Sequence, residues 1–120
     1  MVTRPAYSQR QWLGIMVSYL RGNIYFVRTD YGEKPFVVVS NNARNAAFDS
    51  AIAVRITTTP PKSPRPSVVP LTAHDPLVGY VVCDSIETLW NDEPSRPAGA
   101  VTRATLYEVG EGLKAALGLR

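Results

Sequence analysis

The chain has 120 residues, of which 45% are apolar and 19% are charged, so it can bury one modest core but is too short for a two-domain enzyme. Thirteen basic and ten acidic side chains give a net charge of +3, which permits an acidic partner but is far below the charge of a histone-like protein. With Cys83 and His74 as its single cysteine and histidine, the sequence excludes an intramolecular disulfide, a zinc cluster of these two residue types and a two-histidine ribonuclease pair.

The N-terminal segment differs from the rest of the chain. Apolar side chains recur at helical spacing from Trp12 to Leu20, which predicts a short amphipathic helix. This run is shorter than the roughly 18 to 20 apolar residues that a membrane span requires, and no small-residue cleavage site follows it. We therefore expect a cytoplasmic protein without a membrane partner, in which residues 1–20 form an N-terminal extension and residues 21–120 form the main domain.

The middle of the chain is rich in β-branched and aromatic residues, which favour strands. The predicted strands are residues 23–29, 35–40, 51–58, 67–71 and 79–89, with a sixth short strand near 98–101. Residues 41–50 are predicted to be a polar loop, and five prolines between positions 60 and 70 predict an extended surface loop. Thr102 is a suitable N-cap for a closing helix that ends at Gly118. The pattern predicts a small α+β fold, a mostly antiparallel, closed or half-closed sheet with one flanking helix.

Polar residues stand at the ends of these apolar strands. They are Lys34 before the second strand, Ser40 at its end and Asn41 after it, Thr57 near the end of the third, and Asp84 with Ser85 within the fifth. We expect these side chains to share one rim of the sheet. The sequence has no glycine-rich phosphate loop, no Gly-x-Ser-x-Gly turn and no metal-ligating cluster, so neither a cofactor nor a metal is expected.

Five segments, in order, resemble the MazF/PemK toxin family, the ribosome-independent endoribonucleases of bacterial toxin–antitoxin modules. They are RGNIYFV (21–27), KPFVVVSNNARN (34–45), AVRIT (53–57), VVCDSIET (81–88) and EGLKAALGL (111–119). The resemblance implies a strongly twisted, SH3-like barrel with a C-terminal helix, the CcdB/PemK plasmid maintenance toxin fold. It also implies a homodimer and a cognate MazE-like antitoxin whose flexible acidic tail lies in the RNA groove.

The resemblance further implies a catalytic pair. An arginine before the Pro-x-Val-Val-Val strand and a Ser or Thr at the end of the Ile-Thr strand form this pair in the family, and Lys34 and Thr57 hold these positions here. Lysine offers a point charge where arginine offers a planar, bidentate fork, so the exchange is not conservative. The family's first loop is shortened here to residues 30–33, and Glu87 stands where an arginine is common, so the family's base specificity does not transfer.

Binding of single-stranded RNA needs cations along the backbone and flat surfaces for unstacked bases. The predicted RNA-binding residues are Arg28, Tyr31, Ser40, Asn41, Arg55, Asp84 and Ser85. The implied reaction is metal-independent cleavage of mRNA or tRNA by attack of a ribose 2′-hydroxyl on the adjacent phosphorus, which leaves a 2′,3′-cyclic phosphate. In this reaction Lys34 would stabilise the charged transition state and Thr57 would donate a hydrogen bond to the phosphate.

Three alternatives remain open at this point. A protein of the same fold that acts by binding a protein, as the related CcdB toxins poison DNA gyrase, would not need Lys34 or Thr57. A degenerate toxin would retain antitoxin binding without cleavage. A plain SH3-like binding module would use the proline-rich loop or aromatic residues. Outside the candidate site, His74 is expected in an exposed turn and Cys83 in the core.

Overall fold

The computed structural model describes residues 19–120, and all elements below belong to this part of the chain. The strands are β1 (Asn23–Thr29), β2 (Gly32–Val38), β3 (Ser50–Thr57), β4 (Val68–Pro70), β5 (Tyr80–Trp90) and β6 (Ser95–Ala100). The helices are α1 (Asn42–Ala47) and α2 (Arg103–Leu117). The predicted small α+β fold, a sheet with a C-terminal helix, is thereby confirmed.

All strand pairs are antiparallel, and the sheet has the order β4-β5-β3-β2-β1-β6. The central strands β2 and β3 therefore have a neighbour on each side, while β4 and β6 are the edges. Pro70 ends the edge strand β4, where a missing N–H interrupts no central ladder. The sheet is not closed, because β4 and β6 do not pair with each other, but its form is close to the barrel that the family resemblance implied.

The sheet buries apolar side chains on both faces, because residues that alternate along a strand point to opposite sides. One face, with Ile24, Val37 and Val54, packs beneath α2 through Val109. The opposite face carries a second cluster that includes Phe36, and Tyr19 packs into it although the sequence assigned this residue to the N-terminal extension. The second face is the one that continues into the candidate site.

Helix α2 lies close to the sheet because Gly112 has no side chain. A Cβ at this position would lie 2.7 Å from Cys83 Sγ and 3.1 Å from Val69. Cys83 is fully buried there, as predicted, and burial together with the charge of Asp84 raises the pKa of its thiol to about 11. The helix begins at the predicted N-cap Thr102, whose side chain accepts from Thr105 N–H, and ends at the predicted Gly118 with φ +70°.

The prediction of a loop over residues 41–50 was wrong, because residues 42–47 form α1. Asn41 caps this helix by accepting a 2.7 Å hydrogen bond from Arg44 N–H, and alanine and arginine within it have high helix propensity. The predicted helix between Trp12 and Leu20 lies almost wholly outside the described residues. Within the described range, neither helix has the length and apolar character needed to cross a membrane.

Candidate active site

Lys34 and Thr57 line the same open cavity, which has a volume of about 540 Å³. The ladder between β2 and β3 ends at the pair of Phe36 and Arg55, and Lys34 and Thr57 each lie two residues beyond it. Residues two positions apart along a strand point to the same face, so Lys34 shares a face with Phe36, and Thr57 shares one with Arg55. Both residues are partly exposed, so both the ammonium and the hydroxyl are accessible from this cavity.

The Thr57 hydroxyl is held by the chain that follows it. Its oxygen accepts a 3.1 Å hydrogen bond from the backbone N–H of Thr59. A hydroxyl that accepts one bond still has its proton to donate. The run of threonines at 57–59 therefore fixes the oxygen and leaves an O–H donor at the cavity wall.

The cavity has an excess of positive charge. Its cations are Lys34 and Arg55, and its one acidic side chain is Glu33. Glu33 forms an ion pair of 3.2 Å with Arg96, whose guanidinium also lies 4.4 Å from the ring centre of Phe26. Because Glu33 already has a cationic partner, the charges of Lys34 and Arg55 are not neutralised within the described structure, and the cavity is suited to an anion.

Arg55 carries a polar atom without a partner. Its Nε is buried and has no hydrogen-bond acceptor among the described residues. A buried N–H without an acceptor costs on the order of 1–3 kcal/mol, and more when the group is charged. Arg55 nevertheless lines the open cavity, so its guanidinium, apart from this buried Nε, is placed to donate to an anionic oxygen of a ligand.

Arg55 also lines a second cavity, with a volume of about 300 Å³, on the side of the β1–β2 turn. The other lining residues are Thr29, Asp30, Tyr31, Phe36, Ser85 and Glu87. Of the predicted RNA-binding residues, this cavity brings Tyr31, Arg55 and Ser85 together. Arg28 is exposed and lines an adjoining third cavity of about 310 Å³, which shares Asp30 and Glu87 with the second.

The remaining predicted RNA-binding residues lie elsewhere. Ser40 and Asn41 follow the far end of β2 from Lys34, where the Ser40 hydroxyl accepts from Ile52 N–H at 2.9 Å and Asn41 caps α1. Asp84 accepts a 2.7 Å hydrogen bond from Ser67 and forms an ion pair of 3.5 Å with Arg65. The expectation of one shared rim therefore does not hold for these three residues, and their RNA-binding role stays a prediction.

Several residues that line the first cavity were not predicted from the sequence. Thr58 and Thr59 follow the predicted Thr57, and the repeated threonine was the available signal. Leu77 and Val78 come from the loop between β4 and β5, and no local pattern marks a loop residue for a distant cavity. Within residues 19–120, histidine, cysteine and carboxylate side chains form no group of three or more that is placed to hold a metal ion.

The sequence of this chain also matches a known protein family. Residues 20–117 match the sequence model of the PemK-like, MazF-like toxins of type II toxin–antitoxin systems. The chain belongs to this family.

Curated relatives and solved structures agree with this assignment. Endoribonuclease MazF4 of Mycobacterium tuberculosis and endoribonuclease MazF1 of Mycobacterium bovis are each 46% identical over 100 residues, which cover 83% of this chain and 93% of theirs. A mycobacterial endoribonuclease solved in complex with its cognate antitoxin is 46% identical, with a TM-score of 0.79 over 84% of this chain and 96% of that one. A MazE–MazF structure from Deinococcus radiodurans shares the fold. It is 24% identical to this chain, with a TM-score of 0.74 over 87% of this chain and 99% of that one.

Proposed function

We propose that this chain is a metal-independent, sequence-selective endoribonuclease that cleaves single-stranded RNA in the cytoplasm and thereby inhibits translation and growth. The named relatives are endoribonucleases, and they match this chain over most of its length. The observation that carries the proposal is the shared cavity, in which the Lys34 ammonium, the Thr57 hydroxyl and the Arg55 guanidinium are all donors without an acidic partner.

The proposed reaction is an attack of the ribose 2′-oxygen on the adjacent phosphorus. The bond from phosphorus to the 2′-oxygen forms, the bond to the 5′-oxygen breaks, and the products are a 2′,3′-cyclic phosphate and a 5′-hydroxyl. The 2′-hydroxyl releases its proton to solvent, to which the cavity is open. The leaving 5′-oxygen takes a proton from Lys34, which solvent then restores.

Negative charge grows on the two non-bridging oxygens of the phosphate as the reaction proceeds. Lys34 and Arg55 oppose this charge, and Thr57 donates a hydrogen bond to the same group. Donors that are already oriented toward the developing charge stabilise the transition state without reorganisation, and one such donor is worth about 3–4 kcal/mol. Arg55 supplies the planar fork that a lysine at position 34 lacks.

We further propose that the chain forms a homodimer that a cognate antitoxin neutralises. A solved relative is an endoribonuclease in complex with its cognate antitoxin. An antitoxin segment that carries carboxylates would be attracted to the cationic cavity, because Lys34 and Arg55 have no counter-charge there. By occupying the cavity, such a segment would exclude RNA.

The test is cleavage of end-labelled RNA by the purified protein in excess EDTA, followed by analysis of the product ends. We expect cyclic phosphate and 5′-hydroxyl ends, and a loss of about a hundredfold or more in rate for Lys34→Ala and for Thr57→Ala. Lys62→Ala, which removes an exposed lysine from the proline-rich loop, is the matched control and should retain the wild-type rate.

Two outcomes would overturn the proposal. One is cleavage that requires a divalent cation, and the other is cleavage that continues undiminished in both cavity variants. If the wild-type protein binds RNA and slows growth without cutting RNA, the chain acts by binding alone.

A further inference from the structure

The second cavity adjoins the first cavity, in which we propose that cleavage takes place, and Arg55 lines both. We propose that this second cavity binds the nucleobase next to the cleaved bond and selects a base that carries an exocyclic amino group over uracil. This inference rests on the proposed function, because it assigns the substrate of the same site.

The β1–β2 turn forms one wall of the second cavity and carries the aromatic ring of Tyr31. Thr29 Oγ1 donates a 2.7 Å hydrogen bond to Gly32 O and accepts a 3.1 Å bond from Tyr31 N–H, which fixes the backbone of the turn. The Tyr31 side chain is 88% exposed although it borders the cavity. An exposed ring on a fixed turn is suited to stack on an unstacked base, which presents a flat face whatever its identity.

The polar groups of the cavity determine which base edge fits. Glu87 and Asp30 both line it, and neither carboxylate has a hydrogen bond or ion pair with another described residue. An ionised carboxylate only accepts hydrogen bonds. Cytosine, adenine and guanine each carry an amino donor, whereas uracil presents a carbonyl oxygen where cytosine carries its amino group.

Arg55 connects base recognition to the phosphate. Because Arg55 lines both cavities, its guanidinium can contact a phosphate in the first while Glu87 contacts a base in the second. In the β3–β5 ladder Glu87 pairs with Ala53, two residues from Arg55 along β3, so both side chains leave the same face of the sheet. A base and its adjoining phosphate therefore fit the two cavities together.

The experiment compares cytosine with uracil, which have the same ring size and differ in this amino group. The protein is incubated with an RNA pool randomised at the two positions on each side of one cleavable bond, and the cut fraction is sequenced. At one position next to the bond we expect cytosine to be favoured over uracil on the order of tenfold. Glu87→Gln should bring this ratio close to one, because an amide both donates and accepts, whereas Glu108→Gln on α2 should leave it unchanged.

A second measurement keeps the inference testable if the protein does not cleave. Binding of 2′-O-methyl oligocytidine and oligouridine, which cannot undergo 2′-oxygen attack, is measured with the same variants. Absence of wild-type cleavage with cytosine-selective binding that Glu87→Gln abolishes would overturn the proposed function and support the second cavity as the base site. Equal use of cytosine and uracil, or a preference that Glu87→Gln leaves intact, would overturn the inference even if cleavage depends on Lys34 and Thr57.

Discussion

Gly79 packs directly against the backbone carbonyl of Thr57. A Cβ on Gly79 would overlap this carbonyl oxygen, and the residue has a φ of +135°, a conformation that side chains disfavour. Its own carbonyl accepts a 2.8 Å hydrogen bond from Leu71 N–H. The loop that enters β5 thus fixes the end of β3 at the residue whose hydroxyl faces the cavity.

We expect Gly79→Ala to impair cleavage as well as stability, because the added methyl group must displace the Thr57 backbone. Overlap with backbone and strain at positive φ together should lower the free energy of unfolding by about 2–4 kcal/mol. The measurement pairs urea unfolding with the cleavage rate at a temperature where the variant remains folded. Gly118→Ala is the matched control, since this residue also has positive φ, +70°, but nothing within 4 Å of the added Cβ. A Gly79→Ala variant that loses stability but cleaves at the wild-type rate would contradict a positioning role.

The strands and the closing helix were predictable because their signals are local. Alternation and β-branched runs marked β1 and β3, and Thr102 and Gly118 bounded α2 within the sequence itself. Helix α1 was missed because six residues are too few for a helical period, and its evidence is the cap at Asn41.

The candidate site was predictable only in part, because some of its features depend on contacts between residues far apart in the sequence. Lys34 and Thr57 were found through the family motifs, and the antiparallel pairing of β2 with β3 brings these two residues, 23 positions apart, to one cavity. The unpartnered Nε of Arg55 and the approach of Val78 depend on long-range packing. A pattern along the chain carries no information on either feature.

At position 34 we expect charge to matter more than shape. Lys34→Met removes the ammonium but keeps much of the apolar stem, and should lower the cleavage rate about a hundredfold. Lys34→Arg restores the group common in the family and should change the rate by less than about tenfold, because Arg55 already provides a fork in the same cavity. Single-turnover rates for the two variants make the comparison. Wild-type activity in Lys34→Met would show that this residue does not act on the phosphate.

Arg55→Ala should weaken RNA binding without a matching loss of stability. The substitution removes a buried N–H that has no partner in the described structure, and this gain offsets part of the lost packing, so we expect a change of at most about 1 kcal/mol in unfolding free energy. Loss of one phosphate contact should reduce the salt dependence of binding to 2′-O-methyl RNA by about 0.7 in the slope of log K against log salt concentration. Arg103→Ala at the start of α2 serves as the control, with an unchanged slope. An unchanged slope for Arg55→Ala would exclude a phosphate contact.

Asp75 should make the stability of the fold depend on acidic pH. Although partial burial raises its pKa, hydrogen bonds from Thr102 N–H, Thr72 N–H and the hydroxyls of Thr105 and Thr72 lower it from 3.8 to about 2. Because the folded state lowers this pKa, the carboxylate contributes stability that is complete above pH 3.8 and is lost as the pH falls toward about 2. Because the carboxyl is partly exposed and solvent screens its charge, we expect it to contribute on the order of 1 kcal/mol to the free energy of unfolding.

These bonds connect the loop that carries Leu77 and Val78 to the N-terminus of α2, so the cavity wall depends on them. Asp75→Asn, whose amide donors face hydrogen-bond donors, should be less stable than the wild type at pH 7. The gap in unfolding free energy between the two proteins should narrow by about 1 kcal/mol between pH 5 and pH 2. Urea unfolding of both proteins across this range measures the gap. A gap that stays constant with pH would mean that the Asp75 charge does not stabilise the loop, and a gap that widens toward acid would contradict the direction of the pKa change.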